Sequence, residues 1–583
     1  MLGLRLFRGR SPQKEHSAAA PRDRRPWYGR LLARADSSHA RVILKPYSDA
    51  GISRFQNALP LLIGLAATLA CLPFGFYYAI VTPWLLVPFF VPIAILMALC
   101  IWALPDSNFL PDAVLEKMLF AYFVALVMWP NYIAIDLPGL PWISMARITN
   151  APMVLLFLAA LSTSQAFRSR LAEILASSPM VWKTMVVFLI LQAISIPFSG
   201  SLNYSITQFI VEQTNHTAVF FICCYVFAKP GRVAIWTYLF WAMSIFVGAV
   251  GVIEYFHKLP LWSGYIPQFL LINDERVQAT LAGSMRTETG QYRTSSVFST
   301  PLGLSEFMAL GLPFMMHFAS SASYRPPVRA LAAVTAVLSI IVVLLTDSRL
   351  GLFGLIISIA LYTILRAIQG WLRNRTAIIP TAILVGYPAM FIMMVSASFF
   401  VGRIRAKFWG TGQYDASNEG RKEQLAMGLP KVFQYPLGHG PGRAADVVGY
   451  TTPGGMVTID NFMLVLAVDY GVLGLLAFIG MFGVTALTAT RQAFSTERRP
   501  AEYELIVPFA VVIIVFLVIK TVFAQNDNHP LMFMMMGVIL ALSYRFKVLV
   551  EARKPTEHSG SPVNSDHSQP ISPRRFRSPA SQP

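Results

Sequence analysis

The sequence predicts an all-α polytopic membrane protein, a bundle of about 12–14 transmembrane helices with two long connections on its outer face. Of its 583 residues, 55% are hydrophobic and only 13% are charged, whereas soluble proteins carry about 25% charged residues. Apolar runs long enough to cross a hydrocarbon core of about 30 Å recur along the chain. Basic residues fall mainly in alternate connections, as they do where cytoplasmic loops retain Lys and Arg.

The apolar runs define the candidate spans. Several prolines interrupt the first two runs and would kink those helices, which a membrane bundle tolerates where neighbouring groups satisfy the freed backbone. In chain order the candidate spans are 58–78, 82–104, 117–136, 148–162, 180–198, 206–228, 233–253, 300–320, 328–346, 350–368, 377–400, 459–488, 505–524 and 530–548.

The chain divides into a basic tail at 1–56, a membrane domain at 57–550 and a polar tail at 551–583. The Ser-, Pro- and Arg-rich composition of both tails is typical of disordered segments. With the N-terminus inside, an even number of spans places both tails on the cytoplasmic side. The inner connections then hold most basic residues of the membrane domain: Lys117, Arg168, Arg170, Lys229, Arg232, Arg325, Arg329, Arg366, Arg373, Arg375, Arg491, Arg498 and Arg499.

Charge and cysteine usage exclude several classes of protein. The net charge of +18 includes strongly basic tails, which suit contact with anionic lipid. No aromatic-interleaved basic fold accompanies the charge, so nucleic-acid binding is disfavoured. The four cysteines, Cys71, Cys100, Cys223 and Cys224, all lie in apolar runs, which predicts neither a loop disulfide nor a metal site. We expect no metal and no cofactor.

Two connections, at about 254–299 and 401–458, are much longer than the rest and fall on the outer face. Long connections in compact proteins are usually functional or disordered, and these two contain aromatic and charged residues. In the second, an apolar stripe predicts a helix lying at the bilayer surface. The stripe consists of Leu425, Leu429, Val432 and Phe433.

Arg421 lies in the first turn of this surface helix. A guanidinium group binds phosphate oxygens in a bidentate manner and keeps its charge, so Arg421 is a candidate phosphate ligand. The alternative is a surface arginine that snorkels to the interface.

A glycine-rich turn follows the surface helix and contains Gly438, His439, Gly440 and Gly442. Glycines allow a close approach of the backbone to a ligand and can present N–H groups to an anion. The alternative is a tight turn that only supports the loop. The pattern of a nucleotide-binding P-loop is absent from the sequence.

Two further arginines lie at the outer face. Arg349 follows Asp347 and Ser348 in a very short outer connection, where the acid or the serine could equally cap the next helix. Arg293 precedes the span at 300–320, and Glu306 within that span is a costly acid that either functions or pairs with an arginine.

Asp460 and Asn461 begin the span at 459–488. Asp is a good helix N-cap, and it could also act as a general base at the boundary between membrane and water. Lys520, Asp527 and His529 flank another outer connection, where they would either support the structure or line a cavity.

These segments, taken in order, resemble the O-antigen ligase and Wzy-type polysaccharide polymerase superfamily of bacterial inner membranes. The similar part covers roughly residues 110–548. It comprises TSSVFSTPLGLSEFMALGLPF after Arg293, then LLTDSRLGLFGLI, EGRKEQLAMGLPKVFQYPLGHGPG and IDNFMLVLAVDYGVLGLLAFIGMF.

The resemblance implies a helical, GT-C-like membrane glycosyltransferase without a metal or nucleotide sugar, in the inner membrane with its active site on the periplasmic face. Its substrates would be an undecaprenyl-pyrophosphate-linked glycan donor and a glycan acceptor, and its partners membrane lipid, a flippase and chain-length or export proteins. Matching the family pattern, Arg293, Arg349 and Arg421 would bind the pyrophosphate, with Gly438, Gly440, Gly442 and Asn461 supporting the loop.

One departure from the family pattern directs the functional prediction. O-antigen ligases typically have a His next to the Asn at the start of the helix after the long loop, whereas here that place is Asp460. The Asp-Asn pair looks more like exopolysaccharide polymerases, so we expect polymerisation of a bacterial surface or exported polysaccharide. Asp460 is the first candidate for the base and His439 the second, since an imidazole titrates near neutral pH. The alternatives are an O-antigen ligase acting on lipid A core or protein, and a transporter or flippase of lipid-linked glycan.

Overall fold

The computed structural model describes residues 110–137, 142–285, 290–402, 405, 415–452, 455, 457–495, 500–522 and 524–553. The predicted spans at 58–78 and 82–104, the N-terminal tail and residues 554–583 lie outside the described residues. The contacts reported below concern 110–161 and 167–553.

The described residues form helices in almost every element, which confirms the all-α prediction. The first half contains α1 Asp112–Met128, α2 Met145–Thr163, α3 Gln165–Ala176, α4 Pro179–Ser195, α5 Leu202–Glu212, α6 Ala218–Phe227, α7 Arg232–His257, α8 Glu275–Leu281 and α9 Pro301–Ser320. The second half contains α10 Pro326–Leu345, α11 Arg349–Arg373, α12 Ile378–Phe400, α13 Asp415–Gln434, α14 Ala444–Val448, α15 Phe462–Ala493, α16 Ala501–Glu504, α17 Ile506–Lys520 and α18 His529–Arg553. One two-residue antiparallel pair, β1 Ala134–Ile135 with β2 Ile143–Ser144, lies between α1 and α2.

Ten candidate spans are found among the described residues, which makes the chain a multi-pass membrane protein. Two predicted spans differ from this set. The run at 117–136 forms α1, which has only 17 residues and ends at Met128, because Trp129 before Pro130 takes an extended conformation. The run at 206–228 is continuous from α5 to α6 but is interrupted by a π-helical turn, Gln213–Thr217, whose residues are polar.

Ion pairs gather the predicted inner connections at one end of the bundle. Lys229 pairs with Asp112 at 2.9 Å and Arg232 with Glu116 at 2.7 Å, which joins the start of α1 to the start of α7. Further along the chain, Arg545 pairs with the Glu502 carboxylate at 2.7 Å.

Hydrogen bonds gather the predicted outer connections at the other end. The indole of Trp262 donates to the Tyr132 hydroxyl at 3.0 Å, and Arg276 donates to the Val457 carbonyl at 3.1 Å. The second bond joins the two long connections directly. The alternation read from the basic residues therefore groups the connections correctly by end.

The core of the bundle is formed by helices that are apolar on all sides, as expected of buried helices. α9 packs against α10, α11 and α17, and α15 packs against α4 and α17. α12 is different, because Ser398 is the one buried residue among its described side chains. Its apolar surface suits contact with lipid.

A kink at Gly471 interrupts α15. Gly471 has φ 72° and ψ 178° inside an otherwise helical run, and the carbonyls of Val468 and Asp469 turn away from the helix. They accept the amides of His439 at 2.9 Å and Gly440 at 3.0 Å. The glycine-rich turn thus supplies the backbone bonds that the kink removes, as a kinked membrane helix requires.

We predict that Gly471→Ala destabilises the protein by more than about 2 kcal/mol, because a side chain at positive φ costs about 1–2 kcal/mol and a clash adds to it. An added Cβ would lie 1.9 Å from the Pro436 carbonyl oxygen. The midpoint of thermal unfolding in detergent measures the loss.

Gly480→Ala is the matched control, because Gly480 lies in the same helix and an added Cβ there meets nothing within 4 Å. Its unfolding temperature should stay the same or rise slightly. Equal unfolding temperatures for the two variants would contradict the role given to the kink.

Candidate functional site

Hydrogen bonds link the segments that carry the three predicted arginines. Arg293 Nε donates to the carbonyl of Thr346 at 3.0 Å, at the end of α10. Arg349, three residues further on, begins α11 and donates from Nη2 to Asn418 Oδ1 at 3.3 Å. Asn418 lies one helical turn before Arg421 in α13, so residues remote in sequence form one connected group. We call Arg293, Arg349 and Arg421 the arginine row.

Arg421 is followed one turn later by Gln424, which is 1% exposed and accepts the Asp460 amide on Oε1 at 2.9 Å. The Arg421 Nε is buried and has no hydrogen-bond partner among the described residues. Burial lowers the pKa of the Arg421 guanidinium, and the charge of Asp460 acts in the opposite direction. A partly desolvated guanidinium group with an N–H that has no partner is suited to bind an anion.

Glu254 holds the segment that carries Arg293. Its buried carboxylate accepts the Tyr292 hydroxyl at 2.8 Å, the Ser295 amide at 2.9 Å and the Ser296 amide at 2.6 Å. Ser296 has φ 51°, a strained value that such bonds can maintain. Burial, followed by the neighbouring Glu254 charge, raises the pKa of the Tyr292 hydroxyl, which keeps it a donor. Sequence reasoning missed Glu254, although an acid directly after an apolar run was a usable signal.

The N-caps of α11 and α15 were both predicted from the sequence, and the structure differs from the prediction at α15. Ser348 caps α11 by accepting the Gly351 amide at 3.0 Å. In α15 the cap is Asn461, whose side chain accepts the Met463 and Leu464 amides. The prediction that Asp460 is the N-cap of this helix was wrong by one residue. Within the described part of the chain its carboxylate accepts no hydrogen bond, so it remains available for other chemistry.

Backbone amides of the glycine-rich turn donate to groups of α15 rather than to a ligand site. The amides of Gly442 and Arg443 donate to the two carboxylate oxygens of Asp469, at 3.0 and 2.9 Å. Gly438 has φ 86°, and an added Cβ would lie 2.2 Å from the Asp469 carbonyl oxygen. The same turn places His439 Nδ1 at 3.1 Å from the Val468 carbonyl, which fixes the proton on Nδ1. Sequence reasoning missed Asp469.

Glu306 pairs with a lysine rather than an arginine. Lys520 Nζ lies 3.0 Å from Glu306 Oε1, both side chains are fully buried, and Asn528 donates to Glu306 Oε2 at 3.1 Å. Nearby, Ser299 donates to Asp527 at 2.7 Å, while burial raises the pKa of the Asp527 carboxyl. These bonds hold the connection between α17 and α18 against the end of the Arg293 segment.

The apolar stripe predicted in α13 is displaced around the helix. Val432 is buried at 3% exposure and packs with Leu464 and Val468 of α15. Leu425, Leu429 and Phe433 are exposed, which leaves them as the face that the sequence predicts to lie at the bilayer surface.

A cavity of about 880 Å³ lies beside the arginine row. Its walls include Ser299, from the segment that carries Arg293, and Ile459, the residue before Asp460. Neither the three arginines nor Asp460 line it. In the part of the chain that the structure describes, no group of three or more His, Cys, Asp or Glu side chains is placed to hold a metal ion.

Comparison with protein families finds a match in the second half of the described bundle. Residues 334–479 match the family model described as O-antigen ligase. This part of the chain is similar to O-antigen ligases, and we refer to it as the O-antigen ligase domain. It contains Arg349, Arg421, His439 and Asp460 but not Arg293, and no curated protein matches the sequence.

The O-antigen ligase domain confirms the resemblance to the O-antigen ligase and Wzy superfamily. It identifies a membrane glycosyltransferase-like enzyme of ligase or polymerase type, and it implies lipid-linked glycans as substrates.

Proposed function

We propose that the protein is a polymerase of a bacterial surface or exported polysaccharide, which joins undecaprenyl-pyrophosphate-linked repeat units. The observation that carries this proposal is the arginine row beside Asp460, within and next to the O-antigen ligase domain. Hydrogen bonds link the three segments that carry these arginines, and Arg421 has a buried Nε without a partner among the described residues.

The arginine row is suited to bind the donor pyrophosphate. As the anomeric carbon–oxygen bond breaks, negative charge builds on the leaving pyrophosphate, and fixed cations there stabilise the transition state. Arginines keep their charge throughout. We therefore assign the stabilisation of the leaving group to these side chains, in a reaction that uses no metal.

Asp460 is the proposed general base. An acceptor hydroxyl attacks the anomeric carbon of the donor, its proton passes to the Asp460 carboxylate, and undecaprenyl pyrophosphate leaves. Asp460 fits this role because Asn461 serves as the helix cap. His439 fits less well, since its Nδ1 contacts the Val468 carbonyl and its ring packs against Tyr435 at 4.7 Å.

The position of the site agrees with a reaction on the periplasmic face of the inner membrane. The arginine row and Asp460 lie at the end of the bundle opposite the ion pairs of Lys229, Arg232 and Arg545. If Lys- and Arg-rich connections remain in the cytoplasm, both termini lie there too and the row faces the periplasm.

Purified lipid-linked repeat units, supplied as sole substrate to the protein in nanodiscs, should be joined into longer chains with release of undecaprenyl pyrophosphate. Product length on gels and pyrophosphate-lipid release are the measurements. A ligase would give no product until lipid A core or an acceptor protein is added. A flippase would move the lipid across vesicles without changing glycan length, and either result would refute polymerisation.

Arg421→Ala should lower the rate of chain extension by at least about 100-fold, the scale of losing one preorganised charge-stabilising group. The protein should still insert in the membrane, because Arg421 is partly buried and not part of a span. Lys422→Ala is the matched control: Lys422 is the next residue and its side chain is 75% exposed in a pair with Glu419. Normal chain length with Arg421→Ala would reject the assignment.

Asp460→Asn should reduce kcat by about 10²–10⁴-fold, the usual contribution of a general base, while the KM of the donor changes little. His439→Gln should retain most of the rate. Glu419→Gln, at an exposed carboxylate of α13, controls for loss of charge in the same region. The reverse order of effects would move the base to His439.

A further inference from the structure

The cavity beside the arginine row has the size and position of a second subsite. Its volume of about 880 Å³ falls in the range of pockets that bind small organic molecules, about 300–1,000 Å³. Its walls come from both long connections and from neighbouring helices, including α5 and α15. The arginine row occupies other positions, so the cavity is separate from the proposed pyrophosphate site.

The charges that line the cavity do not suit a phosphate. Three carboxylates, Glu212, Asp469 and Asp527, contribute to its walls. The two arginines in the lining both donate to the backbone: Arg147 to the Trp142 carbonyl and Arg276 to the Val457 carbonyl. Apolar side chains such as Val211, Leu466 and Phe533 share the lining with these charges.

Glu212 presents one acceptor to the cavity. Tyr470 and Gln192 both donate to its Oε2, each at 2.8 Å. Gln192 is held in turn by Gln213, which donates to it at 2.9 Å. Among the described residues Oε1 accepts no hydrogen bond. The carboxylate is therefore fixed on one oxygen, and the other can accept a bond from a ligand hydroxyl.

Aromatic rings share the lining with these polar groups. Tyr132, Trp142 and Tyr204 line the cavity, and Tyr132 is held by the Trp262 indole through its hydroxyl. Sugars present apolar C–H faces and hydroxyl-bearing edges. Rings beside carboxylate and amide groups can contact both kinds of surface.

His529 contributes a further aromatic ring to the cavity lining. It lines the cavity, is 3% exposed, and its Nε2 has no hydrogen-bond partner among the described residues. Its ring packs against Phe462 at 4.7 Å and Phe516 at 5.5 Å.

We propose that this cavity binds the sugars of the acceptor glycan, with Glu212 Oε1 accepting hydrogen bonds from their hydroxyl groups. The proposal rests on the proposed function. It also places the acceptor next to the base, because Ile459 lines the cavity and Asp460 follows it. In this arrangement the donor pyrophosphate lies on the arginine row and the acceptor sugars lie in the cavity.

Glu212→Gln tests this assignment without removing the network. Tyr470 and Gln192 both donate to the Oε2 position, so they keep the amide oxygen of the glutamine there. The amide nitrogen then takes the place of Oε1. A hydrogen-bond donor therefore replaces the acceptor that faces the cavity. The matched control is Glu173→Gln at the other end of the bundle. Glu173 likewise accepts a tyrosine hydroxyl, that of Tyr544, at 2.8 Å.

The experiment measures binding to the protein in nanodiscs with two probes. The first is the repeat-unit oligosaccharide released from its lipid and free of phosphate; the second is undecaprenyl pyrophosphate. We expect Glu212→Gln to weaken oligosaccharide binding at least about tenfold, equivalent to losing a hydrogen bond to a charged group, and to raise the KM of the acceptor more than it lowers kcat. Binding of undecaprenyl pyrophosphate should not change, and Glu173→Gln should match the wild type with both probes.

Gln208→Ala is a second variant in case Glu212→Gln fails to fold. Gln208 also lines the cavity, and its loss should weaken oligosaccharide binding several-fold with no effect on undecaprenyl pyrophosphate.

Oligosaccharide affinity equal to the wild type in both cavity variants would overturn the acceptor site, as would a loss confined to undecaprenyl pyrophosphate. A wild-type protein that extends chains but binds no free oligosaccharide would overturn it too, leaving the proposed function intact. Failure of the proposed function is a separate result: no chain extension from lipid-linked repeat units and no loss of undecaprenyl pyrophosphate binding in Arg421→Ala.

Discussion

The attachment of the glycine-rich turn to the kink of α15 is the constraint on which the outer site depends. Gly471 breaks the helix, and the freed carbonyls of Val468 and Asp469 accept amides from the turn. The Asp469 carboxylate accepts two more. This junction fixes the end of α13, and α13 then packs on α15 through Val432. The positions of Arg421 and Asp460 follow from that packing rather than from their own local sequence.

The sequence predicts the spans well because hydrophobicity and helix length are local properties. Ten predicted spans correspond to long apolar helices among the described residues. The two exceptions have local causes, namely Pro130 after α1 and the polar π-turn between α5 and α6. Mean hydropathy over a whole window does not detect such short features. The cap of α15 was predicted one residue early, since Asp460 and Asn461 both have capping side chains and their backbone conformations decide which one caps.

The candidate site was only partly predictable for a different reason. Arginines in outer connections are visible in a sequence because a cation there has few structural uses. The roles of Glu254, Asp469 and Glu212 are not visible in this way, because their partners lie from 20 to 258 residues away and only folding brings them together. A single acid in an apolar run signals a costly group but does not say what it holds. The partners of Glu254, which holds the Arg293 segment, and of Glu212, which faces the cavity, could thus be found only in the structure.

The separation of the arginine row from the cavity has an evolutionary consequence. The pyrophosphate is common to all substrates of the proposed kind, whereas the sugars differ from one polysaccharide to another. Under the proposed function and the proposed acceptor site, the two sets of contacts belong to different side chains. Substitutions at Glu212, Gln208 or Trp142 would then change which glycan is accepted, while the chemistry proposed for Arg421 and Asp460 is retained. A polymerase built in this way would diversify in its products without rebuilding its catalytic residues, and exchange of cavity residues between relatives would be a practical route to new specificities.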